Sequence, residues 1–88
     1  MIDDIFLNNL PYLDLHGYDR QSAIIATNDF VLENYLLNNK KAVIIHGIGY
    51  GIVKKAVQET LRKNKYVTSY NIDSNNVGCT IVNIKKRD

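Results

Sequence analysis

Two stretches of this 88-residue chain end alike, and together they restrict its fold to a narrow set. Leu13-Asp14-Leu15-His16-Gly17 and Val43-Ile44-Ile45-His46-Gly47-Ile48-Gly49-Tyr50-Gly51 are each a short apolar run closed by His-Gly. A helical pattern follows each, so the chain runs strand, turn, helix twice in succession. Parallel neighbouring strands carry their carboxyl ends side by side, and open α/β sheets bind ligands at those ends. His16 and His46 are therefore expected on one edge of one small domain.

The remaining pattern supplies the rest of the architecture. Residues 1–11 form a lead-in segment that brings Ile5, Phe6 and Leu7 as packing side chains and ends at the only proline, Pro11; the domain proper occupies 12–88. Tyr12 to His16 is the first expected strand, with Leu13 and Leu15 on one face and Asp14 and His16 on the other. Asp19 is suited to cap a helix from about Arg20 to Leu37, on which Ala23, Ile24, Phe30, Val31 and Tyr35 make one stripe with Thr27 among them. Asn38-Asn39 ends that helix. Lys41 to His46 reads as a central strand because Ala42 to Ile45 is unbroken apolar sequence.

A second helix is expected from about Ile52 to Lys63, burying Val53, Ala56, Val57, Thr60 and Leu61. Residues 66–72 and Cys79 to Ile84 make two further strands around the turn-forming Asp73-Ser74-Asn75-Asn76-Val77-Gly78. Right-handed crossovers put both helices on one face, and the short last connection lets the final strand run antiparallel. The expectation is an α/β fold of order β-α-β-α-β-β, a mixed four-stranded sheet with strand order 1-2-4-3.

Composition narrows the function classes. A chain of this size with 45% hydrophobic residues holds one core. Its single cysteine, Cys79, excludes an internal disulfide framework and a cysteine-based zinc site, and suits a reducing, cytoplasmic setting. No apolar run approaches the roughly 20 residues of a membrane span, and the acidic Met1-Ile2-Asp3-Asp4 start is unlike a signal peptide. Charge divides unevenly: residues 1–39 carry one base and six acids, residues 40–88 ten bases and three acids. A basic half of that size attracts a phosphate backbone, although solvated lysines also account for it.

Two groups of residues carry chemistry. Asp14 and His16 share a face of the first strand near its carboxyl edge; a carboxylate beside an imidazole serves general acid/base work or metal ligation, and equally plain surface hydrogen bonding. His46 precedes three glycines in five residues, Gly47, Gly49 and Gly51. Such a loop lets the backbone approach an anion and aim amides at it, with the next helix N-terminus adding positive potential. A tight strand-to-helix turn explains the same glycines. The loop is neither a dinucleotide fingerprint nor a Walker loop, because the spacing and the Lys-Ser/Thr are missing. Lys54 and Lys55, in the first turn of the second helix, are placed to meet a phosphate there. Tyr18 and Tyr50 lie beside the two histidines, where each is able to stack on a base.

Taken together, Leu13-Asp14-Leu15-His16-Gly17, Ile45-His46-Gly47-x-Gly49-x-Gly51 and Gly78-x-Thr80 resemble the small MutS-related (Smr) domain over about Tyr12 to Lys85. The resemblance implies a two-layer α/β sandwich and either an endonuclease that nicks DNA or cleaves RNA, or a nucleic-acid-binding module. It implies that Asp14 and His16 of the first motif and His46, Gly47 and Gly49 of the second form the nucleic-acid and catalytic site, with Asp14, His16 and His46 as its catalytic residues. Ile48 stands where the family commonly has Lys, and Asn75-Asn76-Val77 where it commonly has paired glycines. A divalent cation, magnesium or manganese, is a possible cofactor of such a reaction, and DNA or RNA the partner. A small phosphorylated ligand or a protein partner for the same loop is the remaining alternative.

Overall fold

The computed structural model describes residues 9–88, so the packing expected of Ile5, Phe6 and Leu7 lies outside the described residues. Six elements form among the described residues: β1 (Tyr12–Asp14), α1 (Arg20–Leu36), β2 (Lys41–Ile45), α2 (Ile52–Lys63), β3 (Val67–Ile72) and β4 (Cys79–Ile84). The sheet order is β1-β2-β4-β3, with β1 parallel to β2 and the other two pairings antiparallel. Order, mixed character and the two helices agree with the sequence expectation.

β2 is central because its sequence offers no polar face. Ala42, Val43 and Ile44 are 0%, 3% and 0% exposed, so both sides of the strand are covered. Alternate residues of the sheet, Leu15, Ala42, Ile44, Val82 and Ile84, join Ala23, Phe30, Val31, Val57 and Leu61 of the helices in one core. Leu13 packs against it, which puts Asp14 on the opposite face, where no helix lies among the described residues.

Strand ends fall slightly short of the apolar runs, for a local reason in each case. β1 stops at Asp14 because the His16 amide donates to the Asp14 carboxylate at 3.0 Å; the Leu15 amide still reaches the Ile45 carbonyl at 2.8 Å. β2 stops at Ile45 because the His46 amide turns to the Gly78 carbonyl, 2.9 Å away. α1 opens on Asp19, whose carboxylate accepts the Ser22 amide at 2.8 Å. It closes one residue early, at Leu36, and Asn38 takes the left-handed conformation (φ 60°). Asn34, unexpected in an apolar stripe, is only 2% exposed. Its amide donates to the Phe30 carbonyl at 2.8 Å and its oxygen accepts from Asn39 at 2.9 Å, so the buried polar group is paired and ties down the helix end.

Ile44 is fully buried in that core, on the strand between β1 and β4. Ile44→Ala is expected to cost about 2–5 kcal/mol through lost burial and the cavity left behind. Ile25→Ala, at a 53% exposed position of α1, should stay within about 0.5 kcal/mol. Urea unfolding midpoints at constant m-value measure both.

Candidate functional site

The two His-Gly ends bend the backbone in the same way. Gly17 and Gly47 have φ of 81° and 80°, a conformation that costs a side-chain-bearing residue roughly 1–2 kcal/mol. Each bend turns the chain off the sheet edge and toward the start of a helix. At the first bend, Asp14 and His16 are exposed, and the Asp14 carboxylate binds the His16 main-chain amide rather than its ring. Among the described residues the His16 imidazole has no hydrogen-bond partner.

His46 is placed very differently. It is 8% exposed, with Nδ1 2.9 Å from the Gly47 carbonyl and Nε2 2.8 Å from the Thr80 hydroxyl. A carbonyl only accepts, so Nδ1 carries the proton and Nε2 accepts from Thr80 O–H. Desolvation holds the His46 pKa below the ordinary value of 6.5; the Gly47 carbonyl opposes that shift and the Lys54 charge adds to it. The imidazole is thus neutral, in one tautomer, with both nitrogens engaged inside the chain. Its backbone is anchored as well, because the Gly78 carbonyl accepts both the His46 and Gly47 amides, at 2.9 and 3.0 Å. A Cβ on Gly78 would meet the Asn76 side-chain oxygen at 3.2 Å and the Gly47 Cα at 3.4 Å, so only glycine fits easily between the two turns.

Beyond this anchor, glycines and side chains alternate. Gly47, Gly49 and Gly51 all have positive φ, while Ile48 and Tyr50 between them are 69% and 101% exposed. Gly51 is the N-cap of α2 with no side-chain hydrogen bond, and the first turn contains no acidic residue. The helix therefore begins with free amides and no counter-charge of its own. The loop, the start of α2 through Lys54, and Tyr18, Asp19 and Arg20 at the start of α1 line a groove of about 360 Å³.

The structure brings His46, Gly47, Gly49, Gly51 and Lys54 to this groove and leaves Asp14, His16 and Lys55 outside its lining. Register explains the division. Asp14 is paired with Ile45, so it shares a face with Ile45, and His46, one residue on, turns to the helix side toward Thr80. His46 thus lies on the helix side and Asp14 on the other, while His16 follows in the turn beyond the end of β1. Lys55 is exposed on α2. On the same face as Asp14, burial pushes the Cys79 thiol above its ordinary pKa, with Asp73 and then Asp14 adding to it; the thiol is a protonated, packed group. Sequence reasoning missed Thr80 as the partner of His46 and Arg20 as a groove residue. Thr80 carried a usable signal, a hydroxyl at a core-facing position of an apolar strand.

A family model for the Smr domain matches residues 13–85. Endonuclease MutS2 of Streptococcus equi subsp. equi is 42% identical over 76 residues; the match covers 82% of this chain and 10% of that protein. The chain thus spans about a tenth of the length of the curated relatives it matches. Its fold is similar to the crystal structure of the Smr domain of Thermus thermophilus MutS2, with TM-score 0.83 and 25% identity, covering 86% of this chain and 99% of that one. The stand-alone small MutS-related protein YdaL of Escherichia coli shares the fold, with TM-score 0.80 and 20% identity over 85% of this chain and 64% of that one.

Because the folded pKa of His46 lies below the unfolded value, the unfolded chain binds more protons in the interval between them. The stability His46 contributes is full above about pH 6.5 and declines as the pH falls through the folded value. Urea midpoints between pH 7.5 and 5 should therefore fall more for the wild type than for His46→Gln; equal slopes contradict the burial argument. Thr80→Val, which leaves Nε2 buried without a donor, should cost about 1–3 kcal/mol at neutral pH in the same assay.

Proposed function

The chain belongs to the Smr domain family, and from that premise we propose that it is a nucleic-acid endonuclease domain that holds a backbone phosphate on the 47–51 loop. One observation carries the reading: α2 starts without a side-chain cap or an acidic residue in its first turn, on a run of positive-φ glycines, with Lys54 beside it. Backbone amides and a helix N-terminus bind a phosphate without any base being read. The name of the Streptococcus relative, an endonuclease, supports cleavage as the reaction.

In this reading His16 accepts the proton of the attacking water. The water oxygen bonds to phosphorus, the P–O bond to the leaving oxygen breaks, and solvent protonates that oxygen. Charge that builds on the phosphoryl oxygens is met by the loop amides and Lys54. Asp14 positions His16 by holding its amide. His46, with both nitrogens engaged, positions the loop. Parallel strands lie about 4.8 Å apart, so a nucleic-acid strand crossing the ends of β1 and β2 meets both the loop and His16. Among the described residues no group of three or more His, Cys, Asp or Glu side chains is placed to hold a metal ion.

The saturation of His46 favours a second reading, a module that binds nucleic acid without cutting it. Labelled RNA and supercoiled DNA, incubated with and without magnesium or manganese, separate the two. Cleavage by wild type, reduced at least 100-fold in His16→Ala with binding retained, is the expected result. Cleavage that survives both His16→Ala and Asp14→Ala sinks the assignment of these residues. Binding without cleavage under any metal selects the second reading. Lys54→Ala should weaken binding to all sequences alike and lower the salt dependence by about one phosphate contact.

A further inference from the structure

The groove beside the phosphate-holding loop is built for something besides phosphate. Tyr50 projects from the loop with its side chain fully in solvent, at 101% exposure, and Ile48 and Ile52 beside it are 69% and 60% exposed. Tyr18, 41% exposed, faces the groove from the entry to α1. Four large apolar or aromatic side chains are thus exposed to water around one groove of a small domain. An aromatic side chain held out in this way buries apolar area by stacking on a flat partner, and with only two χ angles it has little entropy to lose.

Charge here is sparse by comparison. Arg20 is paired with Glu59 at 3.2 Å, and Lys54 is half-buried beside His46. A duplex would present two phosphate strands and hide its base faces, whereas an unpaired strand offers one phosphate row with its bases free. One or two cations beside an aromatic lip fit the second ligand. Resting on the reading of this chain as a nucleic-acid-binding domain, we infer that Tyr50, with Tyr18 and the flanking isoleucines, forms a stacking subsite for an unpaired nucleobase, and that the domain selects single-stranded over duplex nucleic acid.

The test uses the whole chain and fluorescein-labelled oligonucleotides in three forms: a single strand, the same strand annealed to its complement, and the same strand carrying abasic sites. Fluorescence anisotropy reads each affinity. Wild type should bind the single strand more tightly than the duplex or the abasic strand. Tyr50→Ala should lower single-strand affinity about 5- to 150-fold, the range for losing one base–aromatic stack, and Tyr50→Phe should retain it. Duplex affinity should be unchanged by either substitution. Equal binding of single strand and duplex, or single-strand binding indifferent to Tyr50→Ala or to loss of the bases, overturns the stacking subsite while leaving nucleic-acid binding standing. Wild type that binds none of the three overturns the functional reading itself. Because the Tyr50 side chain is wholly exposed, its truncation does not compromise folding, and thermal unfolding of the variant checks this.

Discussion

A neutral imidazole held between a carbonyl and a hydroxyl fixes the working end of this domain. His46 spans the distance from β2 to β4 through Thr80, and the Gly78 carbonyl takes the two amides at the same junction. Past this point the chain has no ladder to follow. The direction in which the glycine loop leaves the sheet, and hence where α2 begins, is set by that short array of bonds. Buried polar groups of this kind are costly when half satisfied and rigidifying when complete, and here each has its partner. His46, which the family resemblance places in the catalytic site, has both ring nitrogens engaged in structural hydrogen bonds.

The architecture was legible because each element carried its own period. The apolar run at 42–45 and the β-branched run at 79–84 have no helical alternative of adequate length, and Asp19 and Asn38 marked the limits of α1. With two crossovers of one hand and a short final turn, the strand order followed. What sequence did not reveal was pairing between distant segments. Asp14 and His46 look like parts of one cluster until β1 is set in register with β2, and one residue of register decides which face each occupies. Thr80 lies 34 residues from His46, and no local pattern connects them. Asn34 was missed for a related reason: its partners are the carbonyl of Phe30 and the side chain of Asn39, which the helix brings together only at its closing turn.

The division between the faces also separates two kinds of chemistry. At the end of β1, Asp14 and His16 are exposed, and the His16 imidazole has no hydrogen-bond partner among the described residues. On the helix side the groove combines main-chain amides with exposed aromatic and aliphatic surface. A ligand that engages both must lie over the sheet edge, where the adjacent ends of β1 and β2 bring the two sides within a strand spacing of each other. The uneven charge of the chain, acidic toward the amino end and basic toward the carboxyl end, biases approach more than it defines the contact.

The alternation along 47–51 has a consequence for how such a domain changes over time. Backbone shape rests on Gly47, Gly49 and Gly51, while Ile48 and Tyr50 point outward and support nothing beneath them. Substitution at the glycines disturbs the path of the chain; substitution at the two intervening positions does not. Those two residues are therefore interchangeable heads on a fixed mount, and a lineage can retune what its loop touches there without rebuilding the sheet behind it.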